Sequence, residues 1–124
     1  MRHDEHYLQA ACVRWFQYKY PTKVIFAIPN GAHLAGRNAI ERARKWKRLK
    51  AEGAREGTAD LFIAVHTKEY AGLFIEMKVK QRQSAAQKEF EKDVTKAGYM
   101  YVICRTFETF EQIVNDYIAA SRIV

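Results

Sequence analysis

Cysteine is scarce in this chain, acid is outnumbered by base, and no apolar run is long. The two cysteines, Cys12 and Cys104, stand far apart, each in an apolar segment. Neither lies in a C-x-x-C or similar metal-ligand spacing, so both read as reduced core thiols of a cytosolic protein. No stretch approaches the roughly 20 apolar residues needed to cross a bilayer. The opening residues, Met1 to His6, are polar and charged, unlike a signal peptide. The expectation is a cytoplasmic, intracellular soluble protein with no membrane partner. Repeats, low-complexity segments and flexible linkers are also missing. The 124 residues therefore make one domain, 1–124, large enough for a real core and too small for two.

The shortage of acid has a sharper meaning. Asp and Glu number 14 against 21 Lys and Arg, a net charge of +7 and an isoelectric point near 9.5. That excess favours a polyanionic partner, nucleic acid first and an acidic membrane second, with a merely basic soluble protein as the plain alternative. Hydrophobic content of 48% and charged content of 28% are those of a soluble globular domain.

What is present centres on residues 73–80. Leu73, Ile75, Met77 and Val79 alternate along a strand, while Glu76, Lys78 and Lys80 share its other face with Phe74. Charges on a segment that otherwise looks buried must be paired or bind a metal. Upstream, Gly57-Thr58-Ala59-Asp60 leads into the apolar run Leu61–Val65, and the polar segment 66–72 suits a hairpin connection. Antiparallel pairing about that loop puts Asp60 level with Glu76. Two carboxylates and a lysine then meet at one sheet end, a set suited to a divalent metal and a polarised water. An edge-strand charge pair is the alternative.

Around this centre the pattern is helix, strand, helix, strand, strand, helix, strand, helix. A first helix, about 4–19, has Tyr7, Leu8, Ala11, Cys12, Trp15 and Phe16 on one face and projects Glu5 and Gln9 from another. Glu5 there also suits the helix dipole alone. Val24–Ile28 is a short strand, followed by Pro29-Asn30-Gly31, where Asn-Gly signals a turn and Asn30 could equally meet a phosphate. A second helix, about 36–52, is closed by Gly53. It carries Arg37, Arg42, Arg44, Lys45, Lys47, Arg48 and Lys50 over an inner stripe of Ala39, Ile40, Ala43, Trp46 and Leu49. Nearly single-signed charge costs self-repulsion and is better explained by a phosphate backbone than by solvation alone. A third helix opens at Ser84-Ala85-Ala86-Gln87, a capping box, and stops before Gly98. The strand Tyr99–Cys104 and a helix from Thr106 or Phe107 to Ser121 follow. The fold expected is α/β, a small mixed sheet between helices, with a βαβ unit from the Glu76 strand to the Tyr99 strand.

In order and spacing, Gly57-Thr58-Ala59-Asp60-Leu61, Phe74-Ile75-Glu76-Met77-Lys78 and Gln87 resemble the PD-(D/E)XK nuclease superfamily. With Glu5 and Gln9, Pro29-Asn30-Gly31 and Gly98-Tyr99, the chain resembles the virus-type replication-repair nuclease (VRR-NUC) domain from about Glu5 to Cys104. Ala59 stands where the superfamily's name places proline. The resemblance implies a restriction-endonuclease-like core in which Asp60, Glu76 and the main-chain carbonyl of Met77 hold Mg²⁺ or Mn²⁺. It implies that Glu5 completes the carboxylate set directly or through water, that Lys78 activates the attacking water, and that Gln87 positions Lys78 or that water. It further implies a small bacterial or phage-type homodimer that hydrolyses branched DNA such as four-way (Holliday) junctions in replication or repair. Arg37, Arg42, Arg44, Lys45, Lys47, Arg48, Lys80 and Asn30 are the expected DNA contacts. The helix bearing Phe107, Phe110 and Tyr117 is a candidate dimer surface, and its apolar side is equally suited to ordinary core. The other readings are a nuclease of flap or linear-DNA specificity, and a basic DNA-binding module without catalysis.

Overall fold

The charged strand proves to be the third of four in a single mixed sheet. The computed structural model describes residues 2–29 and 36–122. In chain order the elements are α1 (Arg2–Lys19), β1 (Ile25–Ala27), α2 (Ala39–Ala51), β2 (Leu61–Ile63), β3 (Leu73–Met77), α3 (Ala85–Lys96), β4 (Met100–Cys104) and α4 (Phe107–Ser121). The strands lie in the order β1-β2-β3-β4. β1 and β2 pair antiparallel, as do β2 and β3, whereas β3 and β4 run parallel. The fold is thus the expected α/β core, a small mixed sheet flanked by helices.

Alternation along the strands decides what each face does. Leu61 and Ile63 of β2 and Leu73, Ile75 and Met77 of β3 are buried on one face. Against them pack Cys12 and Phe16 of α1 and Phe110, Val114 and Ile118 of α4. Trp15 of α1 stands edge-on to both Phe107 and Phe110, with ring centroids 6.0 Å apart in each pair. Tyr20 ties the two helices by donating to Asn115 Oδ1 at 2.5 Å. The opposite face is aromatic: Phe26 meets Phe62, Phe62 meets Phe74, and Phe74 meets Phe90 of α3.

Side-chain caps explain where the helices start. Asn38 accepts from the Glu41 backbone N–H and Glu41 Oε2 accepts from the Arg37 N–H, so α2 begins three residues later than the glycine-led start expected. Ser84 and Gln87 form the full capping box of α3. Thr106 caps α4 by accepting from the Thr109 N–H.

One expectation is corrected and one open alternative is decided. No residue of α2 is buried, and Ile40 is 66% exposed, so its apolar stripe does not seat on the core. The three-residue strands β1 and β2 leave little sheet surface, and each face is already taken by α1 with α4 or by the aromatic side chains under α3. Phe110 and Tyr117 of α4 are buried within this chain, with the Tyr117 hydroxyl donating to the Val65 carbonyl at 2.6 Å. Phe107 packs on Trp15. That face of α4 is intramolecular core, not a dimer surface. Asn30 and the Asn-Gly turn lie outside the described residues.

Candidate active site

The site follows from strand register. Leu61 pairs with Ile75, so Asp60, one residue before β2, comes level with Glu76. The chain is held there by an Asp60 N–H bond to the Ile75 carbonyl at 3.1 Å and an Ile28 N–H bond to the Asp60 carbonyl at 2.8 Å. Asp60 Oδ2 accepts from the Met77 N–H at 2.7 Å. Glu76 is only 3% exposed and Lys78 8%, so a carboxylate and an ammonium are taken out of water side by side. The Lys78 N–H continues the sheet by donating to the Cys104 carbonyl at 3.0 Å.

Burial raises the pKa of Glu76 well above the ordinary carboxylate range, and the hydrogen bond and charge of Asp60 raise it further. Lys78 and the Tyr101 hydroxyl oppose the shift. The nearby Asp60 charge thus favours the protonated form of Glu76, because like charges at close range repel. The same arrangement is relieved by a divalent cation. Thr58 Oγ1, two residues before Asp60, is buried and has no hydrogen-bond partner among the described residues.

Gln87 does two jobs with one amide. Its Oε1 accepts from the Ser84 N–H at 2.8 Å, completing the cap, and its Nε2 donates to Glu76 Oε2 at 3.2 Å. Capping therefore aims the amide at the carboxylate. Gly57 sets the approach: it has φ of 80°, and a Cβ there would fall 2.4 Å from the Ala86 carbonyl carbon. Only glycine lets this loop lie against the start of α3. A salt bridge from Arg55 to Asp93 at 2.6 Å, exposed on both sides, ties the same loop to α3.

Glu5 is half-buried in the first turn of α1, and its Oε2 accepts a long 3.5 Å bond from the Val79 N–H. It borders the same groove as Asp60 and Met77. Among the described residues no three His, Cys, Asp or Glu side chains form a metal-holding group. The donors that converge are two carboxylates and backbone. Mg²⁺ uses such a set, taking one or two carboxylates and keeping several waters. Met77 belongs to the core by its side chain, so it meets the groove through main chain.

Of the expected DNA contacts, Arg37, Arg42, Arg44, Lys47, Arg48 and Lys80 are exposed and Lys45 is half-buried. Arg42 is partly committed, donating to the Gly36 carbonyl at 3.2 Å. Sequence reasoning missed Tyr101 and Gln83. The Tyr101 hydroxyl donates to Glu76 Oε1 at 3.5 Å and accepts from Gln83 Nε2 at 3.2 Å, while Gln83 also donates to Glu91 at 2.8 Å. The signal for Tyr101 was the alternation of β4, which turns it to the face carrying Glu76; Gln83 had none.

A four-stranded mixed sheet flanked by helices, with Asp60, Glu76, a buried lysine and a helix-cap amide gathered at its central strands, makes this an α/β core with one acidic site. The profile of the VRR-NUC domain matches residues 3–108. The chain belongs to the VRR-NUC domain family, a family of nucleases. A solved structure titled "VRR_NUC domain protein" is similar at 24% identity over 94% of this chain and 89% of that one, with a TM-score of 0.71. No curated protein matches the chain. No helix among the described residues is long and apolar enough to cross a membrane.

Proposed function

We propose that this protein is a metal-dependent, structure-selective DNA endonuclease that hydrolyses phosphodiester bonds in branched DNA such as four-way junctions. The observation that carries this reading is the buried Glu76, level with the half-buried Asp60 and with the buried Lys78 beside it. Asp60, Glu76 and the Met77 carbonyl would hold Mg²⁺ or Mn²⁺, with Glu5 acting through water. The bound ion supplies a polarised water and neutralises charge on the scissile phosphate. Lys78, already desolvated, would orient that water and offset the negative charge that develops on the phosphoryl oxygens. Gln87 holds Glu76 in one orientation, and Tyr101 does the same from the other side.

Selectivity is for DNA shape, with the α2 cations giving sequence-independent attraction. A homodimer carries two such sites about a two-fold axis and nicks both strands of a symmetric junction in one encounter. The test is cleavage of labelled four-way junction, flap and linear duplex DNA with Mg²⁺ or Mn²⁺, beside EDTA controls. Paired symmetric nicks confined to the junction are expected. Cutting of flaps or linear duplex instead would discard the junction substrate.

A further inference from the structure

A groove of about 580 Å³ runs from Asp60 along α1. One wall is a single face of α1, including Gln9, Val13, Arg14 and Gln17, and the other is the end of β1 with the residues after it, Ala27–Pro29. This is the size of an ordinary ligand pocket, roughly 300–1,000 Å³, and its chemistry is not that of a duplex-tracking surface. Such surfaces are cationic, because they neutralise two strands of phosphates. Here one arginine and one histidine, His6, accompany two side-chain amides over a floor of Ala10, Val13, Ala27 and Ile28, with the carboxylates of Glu5 and Asp60 at the catalytic end. Amides read base edges and apolar walls accept base faces. Arg14 suits a single flanking phosphate.

We infer that the groove between α1 and the end of β1 receives one unpaired nucleotide next to the scissile phosphate. This rests on the nuclease reading for the identity of that phosphate. It gives a physical source for selectivity toward branched DNA, since a base at a branch point leaves its stack at less cost than one inside a duplex. It also separates two roles: α2 attracts any DNA, and α1 admits only DNA that can offer an extruded base.

The experiment compares binding of a duplex carrying one unpaired 2-aminopurine with the perfectly paired duplex, using Ca²⁺ so that affinity is read without turnover. The wild-type protein should bind the unpaired duplex about tenfold tighter, with 2-aminopurine fluorescence rising as the base leaves the stack. Ala27→Leu narrows the groove at an exposed strand position, and Gln17→Ala removes an amide from an exposed helical one. Each should cut the preference to about twofold or less while leaving affinity for the paired duplex unchanged. Equal affinity of the wild type for both duplexes would overturn the inference, as would a preference that survives Ala27→Leu in a protein with native circular dichroism. Cleavage with Mg²⁺ is scored separately: base-selective binding without cutting would sink the nuclease reading and leave the groove's ligand standing.

Discussion

Glu76 is the residue on which most of the chemistry turns, and its environment makes a signed prediction. Burial and Asp60 raise its pKa from 4.5 to about 9 in the folded chain without metal. Between those values the folded state keeps a proton that the unfolded chain has lost. Stability from this group is therefore complete below about pH 4.5 and declines as pH rises toward 9. A divalent cation replaces the proton, so Mg²⁺ should raise the melting temperature more at about pH 8.5 than at about pH 5.5; thermal unfolding at both values checks this. Lys78→Met should lower kcat by roughly a hundredfold to a thousandfold with little change in DNA affinity, as single-turnover cleavage beside binding would report. The two cysteines make a simpler case. Burial pushes Cys12 up to about 12 and Cys104 to about 11, so native protein should resist a thiol reagent that the urea-unfolded chain consumes. At this scale the sequence was readable where geometry is local. Alternation placed Glu76 and Lys78 together, and a three-residue cap placed Gln87. Tyr101 was missed although the alternation of β4 turns it to the Glu76 face, whereas Gln83 and Arg14 were not readable, because contacts across separate elements bring them to the site.

Among the elements, α3 shows how a structural motif and a functional one coincide. Its capping box directs the Gln87 amide to Glu76, and the Gly57 loop sets where the helix begins. Gly57→Ala must move the start of α3, and a shift on the order of 1 Å at a catalytic centre costs about a hundredfold in rate. Steady-state kinetics should find the loss in kcat, with the melting temperature falling less than for a core deletion. α4 gives that comparison: Phe110→Ala should cost about 3–5 kcal/mol by urea unfolding, because Phe110 is core. The sequence left α4 open between core and dimer surface, since an apolar helical face looks the same whether its partner is inside or outside the chain. α2 was misread for a related reason. Its stripe of Ile40, Ala43, Trp46 and Leu49 has the right period, but short strands β1 and β2 leave that stripe no sheet to cover. Its cations remain free to act: reversing Lys45, Lys47 and Arg48 should weaken DNA binding and reduce the salt slope by about 3. Unchanged affinity would remove α2 from the interface.

For the molecule as a whole, the fold was legible because each level agrees. Caps, alternation and hairpin length all point to one mixed sheet, and such consistency is what a sequence needs to specify a single structure. The site sits where the antiparallel pair β2–β3 meets the parallel pair β3–β4, so two carboxylates from separate strands reach one point without any long loop. The central claim is that Asp60 and Glu76 hold a metal that cuts DNA. It is tested by incubating labelled four-way junction with Mg²⁺ and comparing wild type, wild type in EDTA, and Glu76→Ala. Cleavage by the wild type alone is predicted, with Glu76→Ala folded and still binding the junction. A folded Glu76→Ala protein that cuts as fast as the wild type would contradict the account.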